Sequence, residues 1–141
     1  MKEPGASWTT VTATVSEIEA ALNKWLTQSH GLGLTDFRAL TLLSESPDRE
    51  LRITELSTQV GLNQSSTTRL VARLETKGLV VRDTCPDDGR GIYAVITEAG
   101  LTLVQTLAKS YNERLVALVT STITNDTATS RAFSSILNYP S

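Results

Sequence analysis

The sequence predicts a mainly α-helical protein that carries a small β-hairpin. Apolar residues recur every three or four positions through most of the chain, which is the spacing of an amphipathic helix. Two runs rich in β-branched residues, Leu79 to Thr84 and Ile92 to Ile96, flank the turn-forming stretch Pro86-Asp87-Asp88-Gly89, a pattern typical of a hairpin. The length of 141 residues suits one domain with its own hydrophobic core.

Two helices are predicted in the first third of the chain. After an irregular start over Met1 to Ser7, an apolar stripe from about Trp8 to Ser29 indicates a long first helix. The glycine-containing stretch 30–33 ends that helix. Thr35 then suits the N-cap of a shorter second helix, which ends near Ser46-Pro47.

The next segment has the organisation of a helix-turn-helix unit. Leu51 to Ile53 is a candidate strand before a third helix, for which Thr54 is the expected N-cap. Gly61 ends this helix, because glycine adopts the left-handed conformation at a helix end without a Cβ penalty. Asn63 is the expected cap of a fourth helix, which runs from about Gln64 to Lys77 and ends at the following glycine.

One long helix and one short helix follow the hairpin. The long helix begins at about Thr97 or Glu98 and runs to Thr122. Its apolar seam consists of Leu101, Val104, Ala108, Tyr111, Leu115 and Leu118. Asp126 is the expected cap of the final short helix. The first and the long helix carry more apolar surface than a small core covers, so they pack either on each other within one chain or between two chains.

The fourth helix has two chemically different sides. At about 100° per residue, one side gathers Thr67, Leu70, Val71 and Leu74. The opposite side presents Ser65, Arg69, Ala72 and Thr76, with Thr68 and Arg73 beside them. Small residues and hydroxyls let a helix approach base edges in a major groove, and arginine can bond O6 and N7 of guanine. An ordinary amphipathic surface helix is the alternative, although four successive Ser and Thr residues have poor helix propensity.

The predicted hairpin tip combines a carboxylate with a guanidinium. Asp88 lies two residues before Arg90, with Gly89 between them. A flexible arginine suits a narrow minor groove, where negative potential is concentrated, and a nearby carboxylate can orient it. A solvated turn, in which Asp and Gly serve only the turn geometry, is the alternative.

Three segments of the chain resemble the MarR family of winged helix-turn-helix transcription regulators: LTDFRALTLLSES, ITELSTQVGLNQSSTTRLVARLETKGLVVRD and DDGRGIYAVITEAG. The last segment contains the Asp-x-Arg pattern of the family's wing. The resemblance implies a single domain with three parts. These are an N-terminal dimerisation helix and loop over residues 1–33, a winged helix-turn-helix DNA-binding lobe over 34–97 and C-terminal dimerisation helices over 98–141.

The resemblance also implies which residues contact double-stranded DNA. They are Ser65, Ser66, Thr68, Arg69 and Arg73 on the fourth helix, and Arg82, Asp88 and Arg90 on the wing. Of these, Arg90 enters the minor groove and Asp88 orients it. The chain departs from the family pattern at Thr67, where an aliphatic residue is usual, which could loosen the seating of the helix. The two wing acids, Asp87 and Asp88, predict modest affinity for phosphates.

The resemblance further implies a homodimer on a palindromic operator, because a single recognition helix reads too few base pairs to stand out in a genome. We expect a repressor, and an activator is the alternative. Phenolic or other aromatic effectors often bind between the dimer helices and the DNA-binding lobe in this family. A small ligand would then release the protein from DNA by changing the spacing of the two reading helices. Trp25, Phe37, Arg38 and Tyr111 are the candidates to line its site, and core packing is the alternative for each.

The negative net charge of the chain is also compatible with a function other than DNA binding. The net charge of −2 argues against unspecific coating of nucleic acid, although seven of the 13 basic residues lie between positions 49 and 90. A winged-helix module that binds protein instead of DNA is the alternative, and the overall acidity supports it.

The remaining function classes have little support in the composition. With one histidine, His30, and one cysteine, Cys85, the chain has no visible catalytic triad or metal cluster, and we expect no enzyme, cofactor or metal site. Cys85 is interpreted as a plain small residue, because the surrounding acids oppose thiolate formation. No apolar run reaches membrane-spanning length and no signal peptide is visible, so we expect a cytoplasmic protein without membrane contacts.

Overall fold

The computed structural model describes residues 3–84, 91–125 and 127–140. Six α-helices and three short strands make up these ranges, in agreement with the predicted mainly helical fold. In chain order they are α1 (Pro4–His30), α2 (Leu34–Glu45), β1 (Glu50–Arg52), α3 (Ile53–Val60), α4 (Gln64–Thr76), β2 (Val80–Thr84), β3 (Ile92–Ile96), α5 (Glu98–Asn125) and α6 (Thr127–Leu137), with a 3-10 turn (Pro47–Arg49) before β1.

The first helix begins earlier than its apolar stripe indicates. The expected irregular start up to Ser7 is wrong, because α1 already begins at Pro4. Proline is favourable in the first helical turn, where its missing N–H leaves no hydrogen bond unmade. The helix ends where predicted, at Gly31, which has a left-handed φ of 65°.

Two predicted N-caps are wrong for the same reason. The second helix begins at Leu34 with Gly33 as its N-cap instead of Thr35, and the third begins at Ile53 with Arg52 as its N-cap instead of Thr54. In both cases a buried apolar residue occupies the first helical position. Packing of that residue into the core decides the boundary, and the nearby threonine lies inside the helix.

The fourth helix follows its local signals closely. Asn63 Oδ1 accepts a hydrogen bond of 2.7 Å from the backbone N–H of Ser66, which confirms the predicted cap. Gly61 before it and Gly78 after it both have left-handed φ angles, of 80° and 74°. These three residues fix where α3 ends and where α4 begins and ends.

The strands form one antiparallel sheet in the order β1-β3-β2. Arg82 of β2 lies opposite Ala94 of β3, and Arg52 of β1 lies opposite Tyr93. The predicted hairpin is therefore joined by a third strand, at the position of the expected strand before α3. Val80, Ala94 and Ile96 are buried on the sheet's inner face.

The chain divides into two compact units, residues 32–109 and residues 1–31 together with 110–141. In the first unit α2, α3 and α4 pack on one another and on the sheet, around Leu40, Leu43, Leu56 and other fully buried side chains. In the second unit α1 packs on α6. There the hydroxyls of Thr14 and Thr129 are buried and joined by a hydrogen bond of 2.6 Å.

Two further properties concern the described ranges only. None of the helices in them combines the length and the apolar character that a membrane span requires. The same ranges contain no group of three or more His, Cys, Asp or Glu side chains arranged to hold a metal ion.

The start of α5 is held by close contacts with the segment that follows α4. Thr97 Oγ1 accepts a hydrogen bond of 3.1 Å from the Gly100 N–H and donates one of 2.8 Å to the Gly78 carbonyl. Gly100 is buried at this junction. A Cβ atom added to it would overlap the Leu79 carbonyl oxygen and lie 2.6 Å from Ile96 Cγ1.

We expect Gly100→Ala to destabilise the protein by about 1–3 kcal/mol, because the added methyl group meets backbone that cannot give way. Gly5→Ala is the matched control, since nothing lies within 4 Å of a Cβ added at that helical glycine. The control should be neutral or stabilise by up to about 1 kcal/mol, the helix preference of alanine over glycine. Denaturant unfolding measures both, and equal stabilities would contradict the close packing at Gly100.

Candidate nucleic-acid interface

The exposed side of α4 is the first component of the candidate interface. Ser65, Thr68, Arg69 and Thr76 are exposed, whereas Thr67, Leu70, Val71 and Leu74 are buried. This arrangement confirms the two-sided helix that the sequence predicts. The side chains left outside are small, hydroxylated or basic, so the helix presents donors and acceptors without bulky apolar groups.

The threonine hydroxyls of α4 are oriented by the helix itself. Thr68 Oγ1 donates to the Gln64 carbonyl at 2.9 Å, and Thr76 Oγ1 donates to the Ala72 carbonyl at 3.0 Å. Each exposed oxygen therefore keeps its lone pairs available to accept a hydrogen bond. Thr67, which departs from the family's aliphatic preference, is fully buried, and its hydroxyl donates to the Asn63 carbonyl at 2.9 Å. The buried side of α4 thus carries no unpaired hydroxyl at Thr67.

Arg69 is the exposed arginine of α4 that has no carboxylate partner among the described residues. Its Nη2 donates to Ser66 Oγ at 3.3 Å, a contact within one helical turn. Over the part of the chain that the structure describes, Arg69 makes no ion pair with a carboxylate. Its guanidinium charge is therefore not neutralised locally, and its remaining donors face solvent.

Arg73 is engaged with a buried acid. Its Nη2 donates to Asp36 Oδ1 at 2.9 Å, and this ion pair connects α4 to α2. The Asp36 side chain is only 7% exposed, whereas that of Arg73 is 55% exposed. A carboxylate removed from water needs a cationic partner, so the Nη2 atom and the charge of Arg73 serve Asp36.

Arg82 connects the wing to α4 through Glu75. Its Nε and Nη2 atoms donate to Glu75 Oε1 at 3.1 and 2.9 Å, and its backbone N–H donates to Oε2 at 3.2 Å. These hydrogen bonds lower the pKa of Glu75 below its usual 4.5, and those from the Arg82 side chain contribute more than the one from its backbone. The carboxylate is therefore ionised at neutral pH, and its ion pair with Arg82 persists until the pH falls through this lowered pKa.

A cavity of about 210 Å³ separates α4 from the sheet. It is lined by Arg52, Ile53, Thr54, Gln64, Thr68, Arg82, Gly91 and Ile92. Arg52 was not among the predicted contacts, although it lies in the basic middle of the sequence. Its Nε donates to Tyr93 Oη at 2.9 Å and lies 3.8 Å from Glu55. Only the pairing of β1 with β3 brings Arg52 to this cavity, and sequence spacing does not reveal it.

Comparison with known proteins bears directly on this surface. Residues 30–91 match a model of the MarR family. Sco3205 is a MarR family transcriptional regulator from Streptomyces coelicolor whose structure was solved in complex with DNA. Its sequence is 31% identical to this one, the match covers 81% of this chain and 71% of the Sco3205 chain, and the two structures superpose with a TM-score of 0.76. The regulator AbsC from the same organism is 30% identical over 81% of this chain and 76% of its own, with a TM-score of 0.75. The chain belongs to the MarR family.

A curated relative agrees with this assignment over a shorter range. The regulator MhqR of Bacillus subtilis is 36% identical over 83 residues, which are 59% of this chain. This MarR family chain spans about half, 55%, of the length of that relative.

Some predicted site residues lie outside the described part of this MarR family protein. Asp88 and Arg90 of the wing tip belong to the segment 85–90, as does Cys85, and Asp126, the expected cap of the last helix, is also outside. Their assignments rest on the sequence alone.

The residues predicted to line an effector site fall in both units. Trp25 and Tyr111 are half-buried in the unit that contains α1. Arg114 lies over the Trp25 ring at 5.3 Å from its centroid, and the His30 ring meets the same indole edge-on at 5.6 Å. In the other unit Phe37 is buried in the core, only 3% exposed, and Arg38 is half-buried. Phe37 thus follows the core-packing alternative.

We expect Arg73→Ala and Arg69→Ala to differ in stability, although both remove one guanidinium from the same helix. Loss of Arg73 leaves a buried carboxylate at Asp36 and should cost about 1–2 kcal/mol. Loss of the exposed Arg69 should stay within about 0.5 kcal/mol. Chemical denaturation at one protein concentration measures the difference. Similar values for the two variants would show that the ion pair with Asp36 does not hold α4 to α2.

Proposed function

We propose that this protein is a sequence-specific regulator of transcription that binds double-stranded DNA as a homodimer. The observation that carries the proposal is the exposed side of α4, where Ser65, Thr68 and Arg69 are open to solvent and Thr68 also lines the cavity between α4 and the sheet. The DNA complex of the relative Sco3205 supports the same use of this fold.

The chemistry of this side suits a major groove. A helix can approach base edges when its outward residues are small, and exposed hydroxyl oxygens such as that of Thr68, whose hydrogen is already bonded within the helix, can accept from base amino groups. Arg69 supplies the planar fork that recognises O6 and N7 of guanine. We propose that α4 is the recognition helix, with Arg90 at the wing tip reaching the minor groove and Asp88 orienting it.

Exposed apolar side chains support the homodimer. Trp8, Val15, Val116, Phe133, Leu137 and Tyr139 are all 45% exposed or more, and all belong to the unit formed by residues 1–31 and 110–141. Six large apolar residues exposed in one half of a small protein indicate an association surface. We propose that a second copy of the chain covers it, which gives two recognition helices for an inverted-repeat operator.

The proposed direction of regulation is repression, relieved by a small, often aromatic ligand. Both parts rest on the family resemblance. Trp25 is the residue that best fits such a ligand site, since its half-buried indole already stacks with a cation, Arg114. Localisation in the cytoplasm, where the DNA of a bacterial regulator lies, is part of the same proposal.

Selection of bound duplexes from a random pool tests the proposed function directly. We expect an enriched inverted repeat, because a two-fold symmetric dimer reads two identical half-sites. Recovery of no sequence preference, even at low salt, would contradict the proposal. It would favour the alternative of a winged-helix module that binds protein.

We expect Arg69→Ala to weaken binding to the selected duplex by about thirtyfold or more, because the dimer loses one bidentate arginine–guanine pair of about 1–3 kcal/mol in each of its two half-sites. Preference for guanine at that position should relax at the same time. Arg131→Ala, which removes an exposed arginine from α6, is the control for loss of one positive charge. Arg69→Ala combined with Arg90→Ala should abolish specific binding while the dimer stays folded. Unchanged footprints would assign the reading surface elsewhere.

We expect Val116→Asp combined with Leu137→Asp to convert the dimer to a monomer. These side chains are 64% and 82% exposed in the single chain, so the fold should tolerate aspartate at both. Two charges in an apolar interface should weaken dimerisation roughly a hundredfold or more. Sedimentation velocity measures it, with Thr106→Asp at an exposed polar position of α5 as control. Equal dimerisation of all three proteins would place the interface elsewhere.

A further inference from the structure

Glu75 occupies an unusual position for an acid. It is the penultimate residue of α4, close to the C-terminal end, where the helix dipole disfavours negative charge. Its two carboxylate oxygens are both used by one residue, Arg82, through the guanidinium and the backbone N–H. A carboxylate that serves only solubility would gain more at the other end of the helix.

The ion pair leaves part of the Arg82 guanidinium available. Arginine has five N–H donors, and Glu75 takes the Nε donor and one from Nη2. The Arg82 side chain is 43% exposed and lines the cavity between α4 and the sheet, together with Thr68 and Gln64 of the recognition helix. One edge of the guanidinium is therefore fixed to α4, and the remaining donors belong to a side chain that lines the cavity between α4 and the sheet.

The same ion pair links two elements that belong to the proposed DNA-binding surface. Glu75 lies on α4, and Arg82 lies in β2, the strand that leads into the wing. Because the backbone N–H of Arg82 is held as well as its side chain, Glu75 fixes the strand relative to the helix and not only one flexible side chain.

We propose that Glu75 is a positioning residue, which orients Arg82 so that its free edge meets the DNA backbone between the recognition helix and the wing. This inference rests on the proposed function. It gives an acidic residue a favourable role in binding DNA, so removal of Glu75 should weaken binding. Electrostatics alone predicts that removal of an acid from a DNA-binding surface tightens binding.

The test is the affinity of Glu75→Gln for the duplex selected by the wild-type dimer. We expect binding about fivefold weaker although the chain becomes less negative, because Arg82 loses its fixed orientation. Asp83→Asn is the matched control: it removes the same charge from an exposed neighbour of Arg82 in β2 and leaves the Glu75–Arg82 pair in place. This control should bind as tightly as the wild type or more tightly.

The salt dependence separates positioning from a merely structural role. Arg82→Gln should reduce the slope of log affinity against log salt concentration by about one for each phosphate that the arginine no longer neutralises. Glu75→Gln should reduce it in the same direction, and Glu75→Gln added to Arg82→Gln should change neither slope nor affinity further. Arg82→Lys keeps the charge but not the fork, and should weaken binding as Glu75→Gln does. Thermal melting confirms that each variant is folded.

The outcomes are distinguishable. If Glu75→Gln binds the duplex as tightly as the wild type does, the inference is overturned. If it binds more tightly and with a steeper salt slope, the inference is also overturned, and Glu75 holds Arg82 away from DNA. The proposed function would survive that result, since the wild type would still select a duplex. Failure of the wild type to select any duplex would overturn both.

Discussion

The seating of α4 is the constraint on which the rest of this structure depends. Leu70, Val71 and Leu74 are buried completely or nearly so, and they fix the rotation of the helix about its axis. The Asn63 cap fixes where the helix begins. A rotation of α4 by one residue, about 100°, would bring Arg69 toward the core and a leucine toward solvent. Burial of the apolar side of this helix therefore also determines which polar side chains are exposed on its other side.

Three arginines of similar position in the sequence have three different roles in the structure. Arg73 compensates the buried carboxylate of Asp36, Arg82 shares its guanidinium with Glu75, and Arg69 contacts only a neighbouring hydroxyl among the described residues. Charge counting alone would treat them as one basic patch. The contacts instead divide them into one that secures the helix, one that joins helix and wing, and one that is available to a ligand. This division explains how a chain of net charge −2 can offer a directed cationic surface without general basicity.

Local signals predicted this fold well, and long-range contacts explain where they did not. Gly61, Asn63 and Gly78 each act on neighbouring residues, so the limits of α4 could be predicted from the sequence. Thr35 and Thr54 are equally good caps in isolation, but burial of Leu34 and Ile53 moved the helix starts. The partner of Arg73 lies 37 residues away in α2, and that of Arg52 lies 41 residues away in β3. Such pairs depend on the packing of whole elements, which periodicity does not reveal. The division of α4 into an exposed and a buried side could therefore be predicted from the sequence, whereas the ion pairs of its arginines could not.

The different contacts of the three arginines also limit which of them could contact bases in the proposed complex with DNA. An arginine held at 2.9 Å from a buried carboxylate cannot move to a base edge without leaving that carboxylate unpaired in the core. Arg73 therefore cannot readily substitute for Arg69, even though both lie on the exposed half of α4. Arg82 is tied through its backbone as well as its side chain, so it moves only with the strand. In the function that we propose, base preference along α4 therefore depends on Arg69 and on exposed hydroxyls such as that of Thr68, which already donates within the helix. Under that proposal the hydrogen-bond geometry of α4 contributes more to specificity than its charge does, and changes in specificity are expected at Ser65, Thr68 and Arg69 rather than at the paired arginines.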